Sequence, residues 1–427
     1  MTDCRERPLV EYMQMVEDPR SPRVKKHDLA ETLTCIVVAF VTGHIGLRRT
    51  HAWCCRHLNW LRKGLRLKNG IASVSTMSRM LSQVDVELFL YAFMEWVGER
   101  LNTRGLHIAI DGKALRGAAS KVRGERAPVI LNAIEVTTGL VLAQLPIQNK
   151  DCEITKIPEL LKLLDIHDSI ITTDAIGTQT KIMQQIVGQG AHFLMTVKKN
   201  QSEAYNEIND LFNDMEEDDN RKPDNHQRYH HYDLLGKLDT YKSTEKNRDR
   251  NEMRVYQACC APEHISKTKK EWPFIRTVGR CKQLRILRLY DSEGRDITPN
   301  KRDFLASGTR RQPSPLTGDH EASGYQVVGM ISDSVLSAKE MGDIKRKHWR
   351  IENTLHHALD DTFREDRSPA KGSANNLALI RKFAYNIIRF VSILEGIALP
   401  NTEIMDLLDG DKNLLGKYIF EGIPALN

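Results

Sequence analysis

The chain has 427 residues, of which 41% are hydrophobic, so it is too long for one small core and apolar enough for several packed ones. Lysine and arginine (62) outnumber acids (56), giving a formal charge of +6 and a pI of about 8.8, a mildly basic balance that fits a nucleic-acid partner without requiring one. The polar start Met1-Thr2-Asp3-Cys4 has no apolar run behind it, and the longest apolar stretch, 29–43, is too short to span a bilayer. The expectation is a cytoplasmic protein whose eight cysteines are reduced thiols.

In chain order, residues 26–100 read as helices. The run 29–43 is a buried helix, Ser75-Thr76 can cap a short helix through Leu81, and 86–101 has helical apolar spacing (Leu88, Phe89, Ala92, Phe93, Trp96, Val97). Between them lie Arg48, Arg49, Arg56, Arg62, Lys63, Arg66 and Lys68, then the turn Asn69-Gly70. Helix, basic turn, helix suits either a small DNA-binding domain or a helical cap with a solvated basic face. His51, Cys54, Cys55 and His57 cluster in sequence, but their spacing matches no zinc site with two separated ligand pairs, and packing is the preferred reading.

From residue 106 the period changes. Strands are expected at 107–111, 128–136 and 140–147, the last two joined by Thr137-Thr138-Gly139; then a helix 154–164, a strand 169–174, a helix 178–187 and a strand 192–197. Three meandering strands followed by alternating helices and strands imply a mixed α/β sheet with helices on its faces. The charged segment 201–324 reads as a β-rich insertion with a mobile start and strands near 254–258 and 275–279. A strand at 325–331, a long helix 337–362 and a helix 373–395 follow. The expected domains are 1–103, 104–200, 201–324 and 325–400, with a tail at 401–427.

Asp111 and Asp174 each end an apolar strand, where a carboxylate emerges from a rigid sheet into the crevice that binds ligands in α/β proteins. Two such carboxylates repel, and a divalent cation held by oxygen ligands, Mg²⁺ or Mn²⁺, relieves the repulsion. On a helix, Lys345, His348, Glu352, His356 and Asp360 form one polar stripe between bulky apolar residues, either a functional face or a run of salt bridges.

The blocks Ile108-Ala-Ile-Asp111-Gly112-Lys113-Ala-Leu-Arg116-Gly117, Thr173-Asp174-Ala175-Ile-Gly177-Thr-Gln179 and His348-Trp-Arg-Ile-Glu352-Asn353-x-x-His356 resemble, in order and spacing, the insertion-sequence transposases that include the H-repeat-associated proteins of Rhs elements. Lys198-Lys199-Asn200-Gln201, Asp360-x-x-Phe363-Arg364-Glu365-Asp366 and Ala374-Asn375-Asn376-Leu-Ala-x-x-Arg381 look like the same family, so the likeness spans about 26–395. The family has tryptophan where His357 stands. The tyrosine, arginine and lysine that the wider superfamily sets around its glutamate are replaced here by Lys345, His348 and Leu359.

The resemblance implies an RNase H-like core with helices on both faces, an N-terminal α-helical domain, and an insertion before the glutamate. It implies a catalytic, metal-holding triad of Asp111, Asp174 and Glu352 that carries two Mg²⁺ or Mn²⁺ ions and cuts and rejoins DNA. Lys113, Arg116, Lys198, Lys199, Lys345, His348, Arg350 and His356 would meet DNA, with Asn353 and Asp360 in support. Double-stranded DNA, a homodimer on it, and a place at the bacterial nucleoid are expected. The alternatives are a domesticated or inactive DNA-binding descendant and a metal-dependent nuclease without strand transfer.

Overall fold

Short, largely apolar runs in 107–147 make three strands, β1 (His107–Ala114), β2 (Val129–Glu135) and β3 (Val141–Ile147), each with consecutive buried residues and paired antiparallel in that order. At the β2–β3 turn, Glu135 accepts hydrogen bonds from the backbone N–H groups of Thr137 and Thr138, and Gly139 takes φ 76°, which glycine adopts without strain. The computed structural model describes residues 6–118, 127–147, 152–220, 238–246, 250–260, 265–287, 293, 295, 324–368 and 372–426. The chain divides into two units, Met1–Ser169 with His348–Asn427, and Ile170–Lys347.

In the first unit the N-terminal helices pack on the long C-terminal helix Ala374–Leu394, which is why that helix is apolar over most of its surface. Phe383 stacks on Phe89 and lies edge-on to Phe93, while Trp96 meets both Phe383 and Phe390. Asn376 donates to the carbonyls of Leu81 and Val84, pinning the end of one N-terminal helix. Asn386 pairs with both backbone groups of Val141, so its amide covers the open edge of β3.

Several expectations shift. The short helix runs Val74–Gln83 and is capped by Ser73, whose Oγ accepts from Thr76 N–H, not by Ser75 or Thr76. The basic stretch is not a turn but a helix, Leu47–Arg56, that buries Thr50, Trp53 and Cys54 and leaves its arginines outside. The expected tail forms helices Asn401–Gly410 and Lys412–Gly416, tied back by the hydrogen bond from Trp53 to Asp409. Of the histidine–cysteine cluster, Cys54 is buried and donates to the Cys35 carbonyl, and His57 packs at a tilt against Trp53, so packing accounts for both.

In the second unit β4 (Ile170–Thr173) and β5 (His192–Val197) run parallel, joined by the helix Thr180–Gly188. The expected mobile start of the insertion is a helix, Ser202–Asn220. Its strands β6 (Asp239–Lys246), β7 (Arg250–Cys260) and β8 (Thr277–Leu287) extend the same sheet, because β8 pairs with β9 (Gly324–Ser332) and β9 with β5. The buried guanidinium of Arg280 holds the Ser202–Asn220 helix to this sheet through Asn213, Gln257 and Glu216. A short helix, Ser266–Glu271, lies between β7 and β8, and most of what remains of the expected insertion lies outside the described residues. Among the described residues, no helix is long and apolar enough to cross a membrane.

Lys382, on the C-terminal helix, is 1% exposed and donates to Gln144 on β3. Burial pushes its pKa down to about 8, with Glu365 opposing and Arg381 and Lys113 assisting the fall. The folded chain therefore binds fewer protons than the unfolded chain between pH 8 and 10.5, and stability rises with pH across that window. Urea unfolding of the wild type should gain up to ~3 kcal/mol from about pH 8 to about 10.5 relative to Lys382→Met. Parallel profiles for the two proteins would contradict this reading.

Candidate active site

Asp111 lies within β1, opposite Asn132 of β2, and its carboxyl is 20% exposed. Ile108, Ala109 and Ile110 before it are buried, so the strand that carries it is anchored in the core. A Cβ at Gly112 would meet the end of the Glu153 side chain, which would have to turn aside to make room for it.

The expected continuous helix 337–362 is interrupted. It runs Ala338–His348, changes to a π-helix over Ile351–His356, and returns to α-helix at His357–Asp361. Glu352 and Asn353 lie in the π-turn and are exposed. A π-turn closes i to i+5, so the i+4 stripe expected from His348 to Asp360 is rotated within it; such turns concentrate at functional sites. Ile351 and Leu355 are buried and hold the turn in place.

This turn meets β1. His356 Nδ1 is 3.8 Å from Asp111 Oδ2. Burial pushes the His356 pKa down to about 3, with the Lys113 and Lys382 charges adding to the fall, so the ring is neutral at physiological pH. It cannot serve as a cation for phosphate. Its Nε2 is buried with no hydrogen-bond partner among the described residues.

Lys113, expected at phosphate, is instead 7% exposed, with its ammonium 2.5 Å from Asp360 Oδ1 and 3.8 Å from both Glu365 and Asp366. Glu365 is itself buried and faces Arg381 at 3.7 Å. Glu365, Arg381 and Lys382 have no role that the sequence alone assigns, although charges inside the apolar pattern of the C-terminal helix are a usable signal. Arg116 is exposed; its backbone N–H donates to Asp366. Arg350 donates to the Thr137 carbonyl, so it braces the β2–β3 turn.

In the second unit Asp174 follows β4 directly, at the carboxyl end of the parallel pair β4–β5, and its side chain is 54% exposed. Lys198, just after β5, pairs with it at 2.8 Å. Asn200 and Gln201 donate to the Ala175 carbonyl, and Gln201 also to that of Thr178. The Lys198–Gln201 block therefore supports the loop that presents Asp174, and Lys199 beside it is exposed. The Lys345 ammonium donates to Thr196, and burial lowers its pKa against the pull of Cys281 and Asp174. His348 is half-buried.

Among the described residues no three His, Cys, Asp or Glu side chains form a ready metal cage. Mg²⁺ does not need one, because it is held by one or two carboxylates, waters and substrate phosphates. The partly open carboxylates of Asp111, Glu352 and Asp174 are oxygen donors of that kind.

The Transposase DDE domain model matches residues 102–387, and the DDE_Tnp_1-associated model matches 10–97. The chain is 29% identical to the "Putative transposase YncI" of Escherichia coli O157:H7, over 91% of this chain and 89% of that protein. It is 28% identical to the "H repeat-associated putative transposase YhhI" of Escherichia coli K12, over 89% and 90%. A third relative, the "H repeat-associated putative transposase YbfD" of the same strain, is 30% identical over 60% of this chain and 96% of its own length. With two thirds of its length under the catalytic-domain model and the associated domain in front of it, the chain belongs to the DDE transposase family.

Proposed function

We propose that Asp111, Asp174 and Glu352 are the acidic triad with which this insertion-sequence transposase cuts DNA and joins it to a target. The observation that carries the reading is the meeting of β1 and the π-turn in the first unit, where His356 of the Glu352 segment comes within 3.8 Å of the Asp111 carboxylate. An antiparallel meander followed by a βαβ pair is also the strand sequence of an RNase H-like core.

The three carboxylates would hold Mg²⁺ or Mn²⁺, two ions in the full site. Such ions activate water or a DNA 3′-hydroxyl and stabilise the leaving oxygen of an in-line phosphoryl displacement. The chain supplies the rest. Lys198 balances Asp174 before DNA arrives. Neutral His356 sits beside Asp111 without competing as a cation for the phosphate. Arg116, Lys199 and Lys198 face the solvent from which the backbone approaches. No protein nucleophile is required. Two element ends must be handled together, so a homodimer on DNA is the working form, acting in the cytoplasm at the nucleoid.

Residues 20–79 carry twelve lysines and arginines against two acids, more than the whole surplus of the chain. Both acids are engaged within the fold: Asp28 caps the helix Leu29–Val41, and Glu31 accepts the backbone N–H groups of Arg66 and Leu67. A cleft of about 370 Å³ lies there, lined by Lys25, Lys26, His27, Arg66 and Lys68 among others. This surface is the proposed non-specific grip on duplex DNA.

Replacing Lys26, Arg66 and Lys68 together by alanine should weaken duplex binding for all sequences alike. It should also flatten the dependence of log K on log salt by up to about 0.9 for each phosphate no longer neutralised. An unchanged salt slope would remove the cleft from the DNA-binding surface. Glu352→Gln should abolish metal-dependent nicking at the element ends while binding in gel shift stays near wild type. Nicking retained in that variant would refute the triad; binding with no nicking by the wild type under any metal condition would favour a DNA-binding descendant.

A further inference from the structure

We infer that Lys113 is a positioning residue that locks the Asp111 strand to the Glu352 segment. The inference rests on the triad proposed above. Strand alternation places Lys113 on the same face as Asp111, one pleat further along β1. Its ammonium is buried and meets Asp360 at 2.5 Å, with Glu365 and Asp366 at 3.8 Å. All three acids follow Glu352 in the chain, on the α-turn and the short 3₁₀ turn behind the π-helix.

The same seam is closed by backbone. Arg116 N–H donates to Asp366, and a Cβ on Gly117 would collide with the carbonyls of Asp366 and Ser368. Metal-binding carboxylates on two elements repel when the ion is absent. One buried cation shared among carboxylates of the glutamate segment offsets that repulsion and sets the spacing in advance. Removing it takes the close partner from Asp360 and leaves buried Glu365 with Arg381 at 3.7 Å as its remaining ion pair, and the segment relaxes away from β1.

The sign of the effect separates positioning from simple electrostatics. Deleting a positive charge near a cation site should tighten metal binding if the lysine acts only through its field. Positioning requires the reverse. The experiment is calorimetric titration of Mn²⁺ into the full chain bound to duplex DNA carrying an element end, for wild type, Lys113→Met, Lys113→Arg, Asp360→Asn and the Lys113→Met/Asp360→Asn double variant. Lys113→Met should weaken Mn²⁺ by about tenfold or more, the size seen when the outer support of a metal ligand is removed, with DNA affinity unchanged. Lys113→Arg should recover most of the loss, and the double variant should be no worse than the methionine variant alone.

In cleavage assays kcat should fall while KM for DNA holds. Mn²⁺ affinity unchanged or tighter in Lys113→Met, or fully additive losses in the double variant, would overturn the inference. Lys113→Gln, closer in length, takes the place of the methionine variant if that one does not fold. Asp111→Asn is measured alongside: if it binds Mn²⁺ like wild type, the triad itself is wrong, a result distinct from failure of the Lys113 inference.

Discussion

The first unit depends on how buried charge is balanced behind Asp111. Lys113, Arg381 and Lys382 are removed from water around Glu365, and only part of that desolvation is returned by close pairing. Such a cluster adds little net stability, and an apolar replacement of the same volume would pack as well. What it provides is specificity of placement. The cations come from two stretches of chain, β1 for Lys113 and the C-terminal helix for Arg381 and Lys382. The acids come from the segment behind Glu352. Misplacing any of these elements strands a charge in the interior, so the arrangement that satisfies them is strongly selected. The low pKa of His356 comes first from burial, and the charges of Lys113 and Lys382 in the same cluster add to it.

Asp174 is supported in another way. Its carboxylate stays in contact with water and is steadied by one partly exposed lysine, while Asn200 and Gln201 hold the backbone that presents it. An exposed pair of this kind contributes little to stability. Under the proposed function, Lys198 would exchange Asp174 for a phosphate at low cost when DNA enters. The two aspartates thus have opposite settings: Asp111 sits over a buried, prearranged charge network, and Asp174 on a solvated loop braced by amides.

Much of this is legible from sequence where one local rule decides the outcome. Short apolar runs place β1, β2, β3 and β5 to within a few residues, and the apolar stripe from Leu377 to Val391 places the C-terminal helix. The helix Leu47–Arg56 escapes such a reading because it buries only Thr50, Trp53 and Cys54, and its arginines make the segment look like a turn. The π-turn at Glu352 is not legible, since the same residues suit an α-helix and the hydrogen-bond register is decided by what Ile351 and Leu355 pack against. The burial of Lys113 and His356 is hidden for a related reason: their partners are remote in sequence, and a lysine beside a strand aspartate reads equally well as a phosphate ligand. The motif blocks single out the three acids proposed as the triad; they do not say which neighbouring cations face solvent and which hold the fold.

The triad stands or falls on whether carboxylates from both units serve one phosphoryl transfer. The most direct test is joining of a pre-cut element end, labelled at its 5′ terminus, to supercoiled plasmid in Mg²⁺ or Mn²⁺ by wild type and Asp174→Asn. The expected result is metal-dependent joining by the wild type and none by the variant, with equal binding of the labelled end. Undiminished joining by Asp174→Asn would contradict it.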